Sequence, residues 1–323
     1  MKAGAYWRLQ TLIGEIVELH RMNDEVIAKI WHRRIEWSRA AAKLRARVVY
    51  GRLAVLILNV VGAIAATLSA TIPSHIPQAS AGCALLSAIV LAVATYVKAH
   101  VISVDAIRAW TRARSVSEGL KTEIYLFCAR ARPYDGEDAV SLLNERTRAI
   151  EKPAGDLTPH LAAVTEAVPS PPAMMDENEY IEKRVKQQID GYYRAKARLY
   201  AERLRAFRWV ELALGLIGTV LSAAAAFTSH HDVAHTATQS GLAAWVAVVT
   251  TISAALAAHV AADRYDFVVM SYHATASRLD ALVDEWQSPP KNKRRSWSSF
   301  VKSCEDAISV ENESWLAKWS KKL

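Results

Sequence analysis

His230, His231, Asp232 and His235 fall within the stretch FTSHHDVAHTATQS, residues 227–240. Imidazole nitrogens and a carboxylate together suit a divalent transition metal, and His231 and His235, four apart, share one face of a helix. The same residues also make a polar turn, with Ser, Thr and Asp available to cap flanking helices, and this plainer reading is favoured. The expected metal complement is therefore none, with these three histidines as the candidates. His100 and His259 pose a second question. Imidazole titrates near neutrality, so at a hydrophobic constriction they would act as pH-sensitive gates; at a membrane boundary they would serve as interfacial anchors, the preferred alternative. Asn59 and the hydroxyls of Thr67, Ser69, Ser87, Thr95, Thr219, Ser222, Thr250, Thr251 and Ser253 could line a water path in an oligomer, or could bond back to their own helices.

The chemistry of catalysis is not written in the chain. It has no phosphate-cradling glycine loop, GxSxG elbow or HExxH pair, and no spaced acidic pair in a supporting context. The reading is a protein that is not an enzyme and carries no cofactor. Cys83, Cys128 and Cys304 are odd in number and far apart, which argues against both a disulfide framework and a thiolate zinc site.

The elements that carry these residues are set by where charge is missing. Hydrophobic residues make up 52% of the 323, and charged residues 22%; a mean hydropathy of +0.06 requires the apolar residues to be concentrated. From 53 to 97 there is no Lys, Arg, Asp or Glu, and from 212 to 262 only Asp232. Each block divides at a turn, giving apolar segments over 53–72, 82–100, 211–229 and 241–260. At about 1.5 Å per residue, about 20 residues match a hydrocarbon core of about 30 Å. The competing reading is a pair of buried hairpins in a large water-soluble helical protein, since the segments are rich in Ala, Ser and Thr. The fold expected is all-α and integral to the membrane, with four transmembrane helices as two helical hairpins and long cytoplasmic helical extensions. The turn LSATIPSHIPQASAG (68–82) is then a membrane-hairpin tip, where prolines end a helix and charge is avoided.

Basic residues crowd the other ends of the spans. Lys43, Arg45, Arg47 and Arg52 precede the first block, Lys98, Arg108, Arg112 and Arg114 follow it, and Lys196, Arg198, Arg203, Arg205 and Arg208 precede the second. The positive-inside rule places both termini and the middle segment in the cytoplasm and both tips outside. The net charge of +8 is accounted for by these edges and by KNKRRSW (291–297), which suits anionic headgroups. Nucleic acid is not an expected partner, because no aromatic and basic groove pattern accompanies the charge.

The two halves repeat. RLAVLILNVVGAIAATLSA aligns with RWVELALGLIGTVLSAAAA, setting Arg52 on Arg208 and Gly62 on Gly218; GCALLSAIVLAVATYVKAH aligns with GLAAWVAVVTTISAALAAH, setting His100 on His259. Further on, Glu137, Asp138 and Ala139 match Glu305, Asp306 and Ala307. The expected organisation is a first two-span repeat over 1–151, a Pro-rich linker over 152–179 and a second repeat over 180–323. The copies are parallel, which argues against an inverted-repeat transporter. Small residues recur four apart at Gly62, Ala66 and Ala70, and at Gly218, Ser222 and Ala226, ridges that let helices approach closely in lipid. Trp110, Trp286, Trp297, Trp315 and Trp319 lie outside the spans, to be explained by core packing, lipid contact or a partner interface.

This layout resembles the SLATT family, the SMODS and SLOG-associating two-transmembrane effector domains, in two tandem copies. The likeness rests on the basic helices KLRARVVYGR and KARLYAERLRAFR, the paired spans with charge-poor tips, the departing helix AHVAADRYDFVVMSYHATASRLDALVDEW, and EDAISVENESWLAKW. The resemblance implies a bacterial defence effector in the inner membrane, a homo-oligomer that forms a pore when a cytoplasmic sensor or nucleotide-generating partner signals infection. A non-conducting scaffold or receptor subunit, or a small transporter, are the alternatives.

Overall fold

The computed structural model describes residues 2–73, 75–161, 169–229, 236–288 and 296–320. Among them the chain is helical, with no strand. Helix α1 runs unbroken over Lys2–Thr71. It contains no proline, and it stops where Pro73 removes a backbone donor and restricts the residue before it. Pro77 then opens α2 (Pro77–His100) at a position where its missing N–H is no loss. Helices α3 (Val104–Cys128) and α4 (Ala139–Glu151) follow, with a 3-10 segment over Lys152–His160. The second half begins with the short α5 (Glu177–Tyr180), passes through two π-helical stretches, Ile181–Lys186 and Ile189–Arg194, and continues as α6 (Ala195–Ser229). The remaining helices are α7 (Thr236–Asp263), α8 (Tyr265–Gln287) and α9 (Trp297–Ser320).

The chain forms two compact units. Residues 45–107 and 195–272 make a spanning unit; residues 1–44, 108–194 and 273–323 make a helical body. Each unit draws on both halves of the sequence.

In the spanning unit, four helices are long and apolar enough to cross a membrane, and the four expected segments fall on α1, α2, α6 and α7, the first running one residue past the end of α1. Their most apolar windows are at most 17% buried, so the apolar side chains point outward; Leu85 is 63% exposed and Phe227 74%. Hairpins buried in a soluble core would have these covered. Outward Leu, Ile and Phe need a lipid environment instead, which makes this a multi-pass membrane protein. Between α1 and α2 the packing is close. The hydroxyl of Ser87 donates to the Gly62 carbonyl at 2.9 Å, and a Cβ on Gly62 would fall 2.7 Å from Cδ2 of Leu91. The Ser80 hydroxyl donates to the Ser69 carbonyl at 2.8 Å, and that of Ser69 to the Ser80 carbonyl at 2.9 Å. Of the two small-residue ridges, Gly62 is buried and Gly218 half-buried, whereas Ala66, Ala70, Ser222 and Ala226 are exposed. Steps of four residues drift around a 3.6-residue helix, so the face that meets a neighbour at Gly62 has turned away by Ala70.

The helical body is packed in the manner of a water-soluble domain. Trp37, Leu120, Ile124, Leu143, Tyr180, Leu279 and Phe300 are fully buried. Trp110 is buried, Trp286 stacks on Phe300 at a centroid distance of 4.9 Å, and Trp297 packs tilted against the same ring at 5.6 Å, so core packing accounts for these three indoles. The side chains of Trp315 and Trp319 lie outside the described residues. The Pro-rich segment packs onto the body at its described ends. Extended backbone leaves N–H and C=O groups without a ladder, and they must find other partners. The Trp31 indole N–H donates to the Pro169 carbonyl at 2.8 Å, and the Met175 N–H donates to the Cys128 carbonyl at 2.9 Å. Asp176 and Glu179 then close a reciprocal capping box that starts α5.

Candidate functional site in the spanning unit

A cavity of about 480 Å³ opens between α1, α2 and α7 within the spanning unit. Asn59, Thr95 and His259, three of the residues picked out for gating, line it together with Arg52 and Lys98. The first two turns of the span in α1 supply Arg52 and Asn59, seven apart and hence on one face. The last turns of the spans in α2 and α7 supply the rest.

Asp263, the residue that ends α7, organises this corner. Arg52 Nη1 donates to Asp263 Oδ1 at 2.8 Å and to the Ala262 carbonyl at 3.3 Å, with the two side chains only 12% and 16% exposed. The Tyr265 hydroxyl donates to Asp263 Oδ2 at 2.9 Å, and His259 Nε2 lies 3.8 Å from the same oxygen. Phe207 covers the imidazole edge-on at 5.9 Å. A carboxylate that accepts from a guanidinium and a phenol, with an imidazole close by, ties α1 to the end of α7, and its partial burial makes the two hydrogen bonds stronger than they would be in water. Directly after Asp263 the backbone turns through Arg264 at φ 48°, the left-handed region that costs a residue with a Cβ about 1–2 kcal/mol.

The remaining candidates lie elsewhere. His100 is exposed at the end of α2, stacked on Tyr96 at 4.4 Å with Nδ1 3.1 Å from the Tyr96 carbonyl. The two histidines matched by the duplication therefore occupy different surroundings. Thr67 is buried among the spans. Thr250 and Thr251 are exposed and donate to the carbonyls of Val246 and Ala247 one turn back, each at 2.8 Å. Thr95, Thr219 and Ser253 bond back in the same way. His230, His231 and His235 lie outside the described residues.

The residues that sequence reasoning missed are Asp263 and its link to Arg52. A signal was present: Arg52 is the last cation before the first charge-free block and Asp263 the first acid after the second. Two opposite charges at matching membrane depths invite pairing. The duplication drew attention away from it, because Arg208, matched to Arg52, is exposed and no acid occupies the position corresponding to Asp263 in the first half, Val104.

Residues 180–315 match the family model described as SMODS and SLOG-associating 2TM effector domain 1. Residues 34–141 match a different one, a protein of unknown function (DUF4231). The second half thus carries the expected likeness, with α6 and α7 as its two spans, while the first half, where another copy of that family was expected, matches another domain. No curated protein and no solved structure matches the chain.

Proposed function

We propose that this protein is a membrane effector of a bacterial anti-phage or conflict system. It perturbs the inner membrane, or opens a pore across it, when its helical body receives a signal from a partner protein or a nucleotide-derived messenger. The observation that carries this reading is the polar cavity holding Asn59, Thr95, Lys98 and His259 among helices that otherwise present apolar side chains to lipid. Polar groups at membrane depth cost free energy, and they persist where they serve a path or a switch. The description of the family matched by residues 180–315 supports an effector role.

In this mechanism the body and both termini lie in the cytoplasm and the hairpin tips outside. The protein works as a homo-oligomer in the lipid bilayer, without catalysis, cofactor or nucleic acid. The Arg52–Asp263 bridge acts as a staple at rest. A signal repacks the body, to which α1, α3 and α8 are covalently continuous, the staple parts, and the cavity joins a water path through the assembly. The halves descend from one duplicated two-span unit whose family likeness has diverged in the first.

Induced expression with a membrane-potential dye tests this. Depolarisation is expected, to be abolished when Gly62 and Gly218 are both changed to Leu. Asp263→Asn, which weakens the staple, should depolarise cells without a signal. An intact potential in all three cases would favour a second reading, a non-conducting scaffold or receptor subunit, for which the inward bonding of the Thr250 and Thr251 hydroxyls to their own helix speaks.

A further inference from the structure

The cavity between α1, α2 and α7 has two ends of different chemistry. At the feet of the spans stand Arg52, Lys98 and His259; one turn further in, the walls are Val55, Leu56, Ala94 and Ala255. The rise from Arg52 to Asn59 is about 10 Å, so polar and apolar walls succeed each other along the spans. Among the lining residues only Ala94 is buried, which makes the cavity a cleft open on the surface of the spanning unit, where lipid lies. Another cavity, of about 510 Å³ in the helical body, is built differently. Arg34, Lys121, Arg184 and Glu118 line it, π-helical residues form part of its wall, and Ile308 is the one aliphatic side chain among its described lining residues. The body cavity is polar and aromatic, whereas the cleft among the spans is amphipathic.

Two groups in the cleft have unmet demands. Arg52 is answered by Asp263 at 2.8 Å, and His259 lies beside the same carboxylate. Lys98 is then the lining cation with no ion-pair partner among the described residues. Asn59 is half-buried two turns deeper than Arg52, and its amide makes no hydrogen bond among the described residues. Polar side chains in a helix can escape that cost by bonding to a carbonyl one turn back, as Thr95 does to Leu91 at 2.9 Å and Asn144 does to Val140 at 3.1 Å. Asn59 does not. An amide without a partner at membrane depth costs free energy, and an unanswered cation at the foot of the same cleft attracts an anion.

We propose that this cleft binds one anionic phospholipid, with its phosphodiester on Lys98, a glycerol ester carbonyl accepting from the Asn59 amide, and the start of an acyl chain against Val55, Leu56, Ala94 and Ala255. The rest of the chain runs out into the bilayer. A phosphodiester carries one negative charge, which the one unpaired cation of the cleft balances. A zwitterionic headgroup would bring a second cation beside Lys98, so an uncharged or acidic headgroup is preferred. Basic pockets between spans are suited to such lipids, and a volume of about 480 Å³ holds a headgroup and the upper part of a chain. A lipid seated here fills the space that would join a water path and so plugs it at rest; that role rests on the functional reading above, while the binding does not.

The test uses the full-length protein in detergent, with phosphatidylglycerol and phosphatidylcholine of identical chains as probes, read by native mass spectrometry and by melting temperature. Retention of one phosphatidylglycerol per chain, at concentrations where phosphatidylcholine is lost, is the expected result, together with a rise in melting temperature. Lys98→Gln should weaken phosphatidylglycerol binding about tenfold, and Lys98→Arg should keep it. Asn59→Leu should weaken both lipids alike. Arg205→Gln removes an exposed cation at the foot of α6 outside the cleft and should change nothing. No preference for phosphatidylglycerol, or an equal loss in Arg205→Gln, overturns the proposal in favour of surface charge alone. Displacement of the lipid by inorganic phosphate at matching concentration overturns it in favour of a free anion. A protein that holds the lipid and never depolarises cells defeats the functional reading and leaves this site standing.

Discussion

The helical body and the spanning unit each contain a partly or wholly buried arginine–carboxylate pair, and the two pairs live under different rules. In the body, Arg184 and Glu305 are 2% and 1% exposed. The carboxylate also accepts from the Tyr180 hydroxyl at 3.0 Å, and the guanidinium lies 4.1 Å over Tyr125. Burial opposes charge on Arg184, yet Glu305, with Tyr125 and Tyr180, more than restores it and raises its pKa above the ordinary value. Around this pair, aromatic rings point inward. In the spanning unit, Arg52 and Asp263 keep some access to solvent, and around them Leu, Ile and Phe point outward. The contrast shows that one chain uses opposite conventions for what counts as inside: the body hides its apolar atoms from water with its own packing, and the spans leave that task to lipid. A fully enclosed pair is a structural commitment, whereas a half-open one can part and re-form.

Removing one partner of each pair tests that distinction most severely. Glu305→Ala strands a buried guanidinium and should cost the body about 3–5 kcal/mol, seen in detergent as a large fall in its denaturation midpoint. Replacing both, Arg184→Met with Glu305→Leu, should recover most of the loss. Asp263→Ala should cost far less, because Arg52 can turn to water. Equal losses at the two sites would erase the difference between them.

The spans themselves offer a comparison of the next size. A methyl on Gly62 would press within 2.7 Å of Leu91, while one on Gly218 would meet Val249 at an ordinary 3.5 Å. Gly62→Ala should therefore destabilise the α1–α2 hairpin by about 1–3 kcal/mol, and Gly218→Ala should be neutral or slightly stabilising through the lower backbone entropy of the unfolded chain. Thermal unfolding of each variant in the same detergent makes the measurement.

The spans were legible because lipid imposes a one-dimensional rule: about 20 residues without charge. That rule found α1, α2, α6 and α7 without any knowledge of packing. Asn59, Thr95 and His259 came together because each was polar within an apolar segment, a signal that survives folding. Glu305 was visible only as a match to Glu137, yet Glu137 is exposed and Glu305 is among the most buried side chains; sequence similarity says nothing of which copy meets an arginine. The cavity of the body was hidden for the same reason. Arg34 on α1, Lys121 on α3 and Arg184 in the π-helical wall are separated by long stretches of chain, and only tertiary packing sets them on one wall.

Titration within the helical body gives a smaller effect. Lys121 has its pKa lowered to about 8 in the folded body, from 10.5 in the unfolded chain. Between those values the unfolded state binds more protons, so stability rises with pH, by at most about 1.4 kcal/mol per pH unit. Cys128 acts oppositely: burial pushes its thiol up to about 12 from 9, so above pH 9 the unfolded thiolate forms first and stability falls. The clean window is pH 8 to 9. There the ligand-free protein should grow more stable, and Lys121→Gln should flatten that slope in the same denaturant series.

The smallest expected effect is at the end of α7. Arg264 holds φ at 48°, a conformation that glycine adopts freely, so Arg264→Gly should relieve about 1 kcal/mol of strain and return roughly as much through the greater entropy of the unfolded chain. The net change in melting temperature should be close to zero. The turn after Asp263 would nevertheless become easier to rearrange, because glycine also samples the alternatives that arginine's Cβ forbids. If the staple is the part that moves, this variant should depolarise cells at a lower level of induction than the unmodified protein while unfolding at the same temperature. A change in melting temperature with no change in depolarisation would make the turn a fixed corner and leave the release of the staple to the Arg52–Asp263 contact alone.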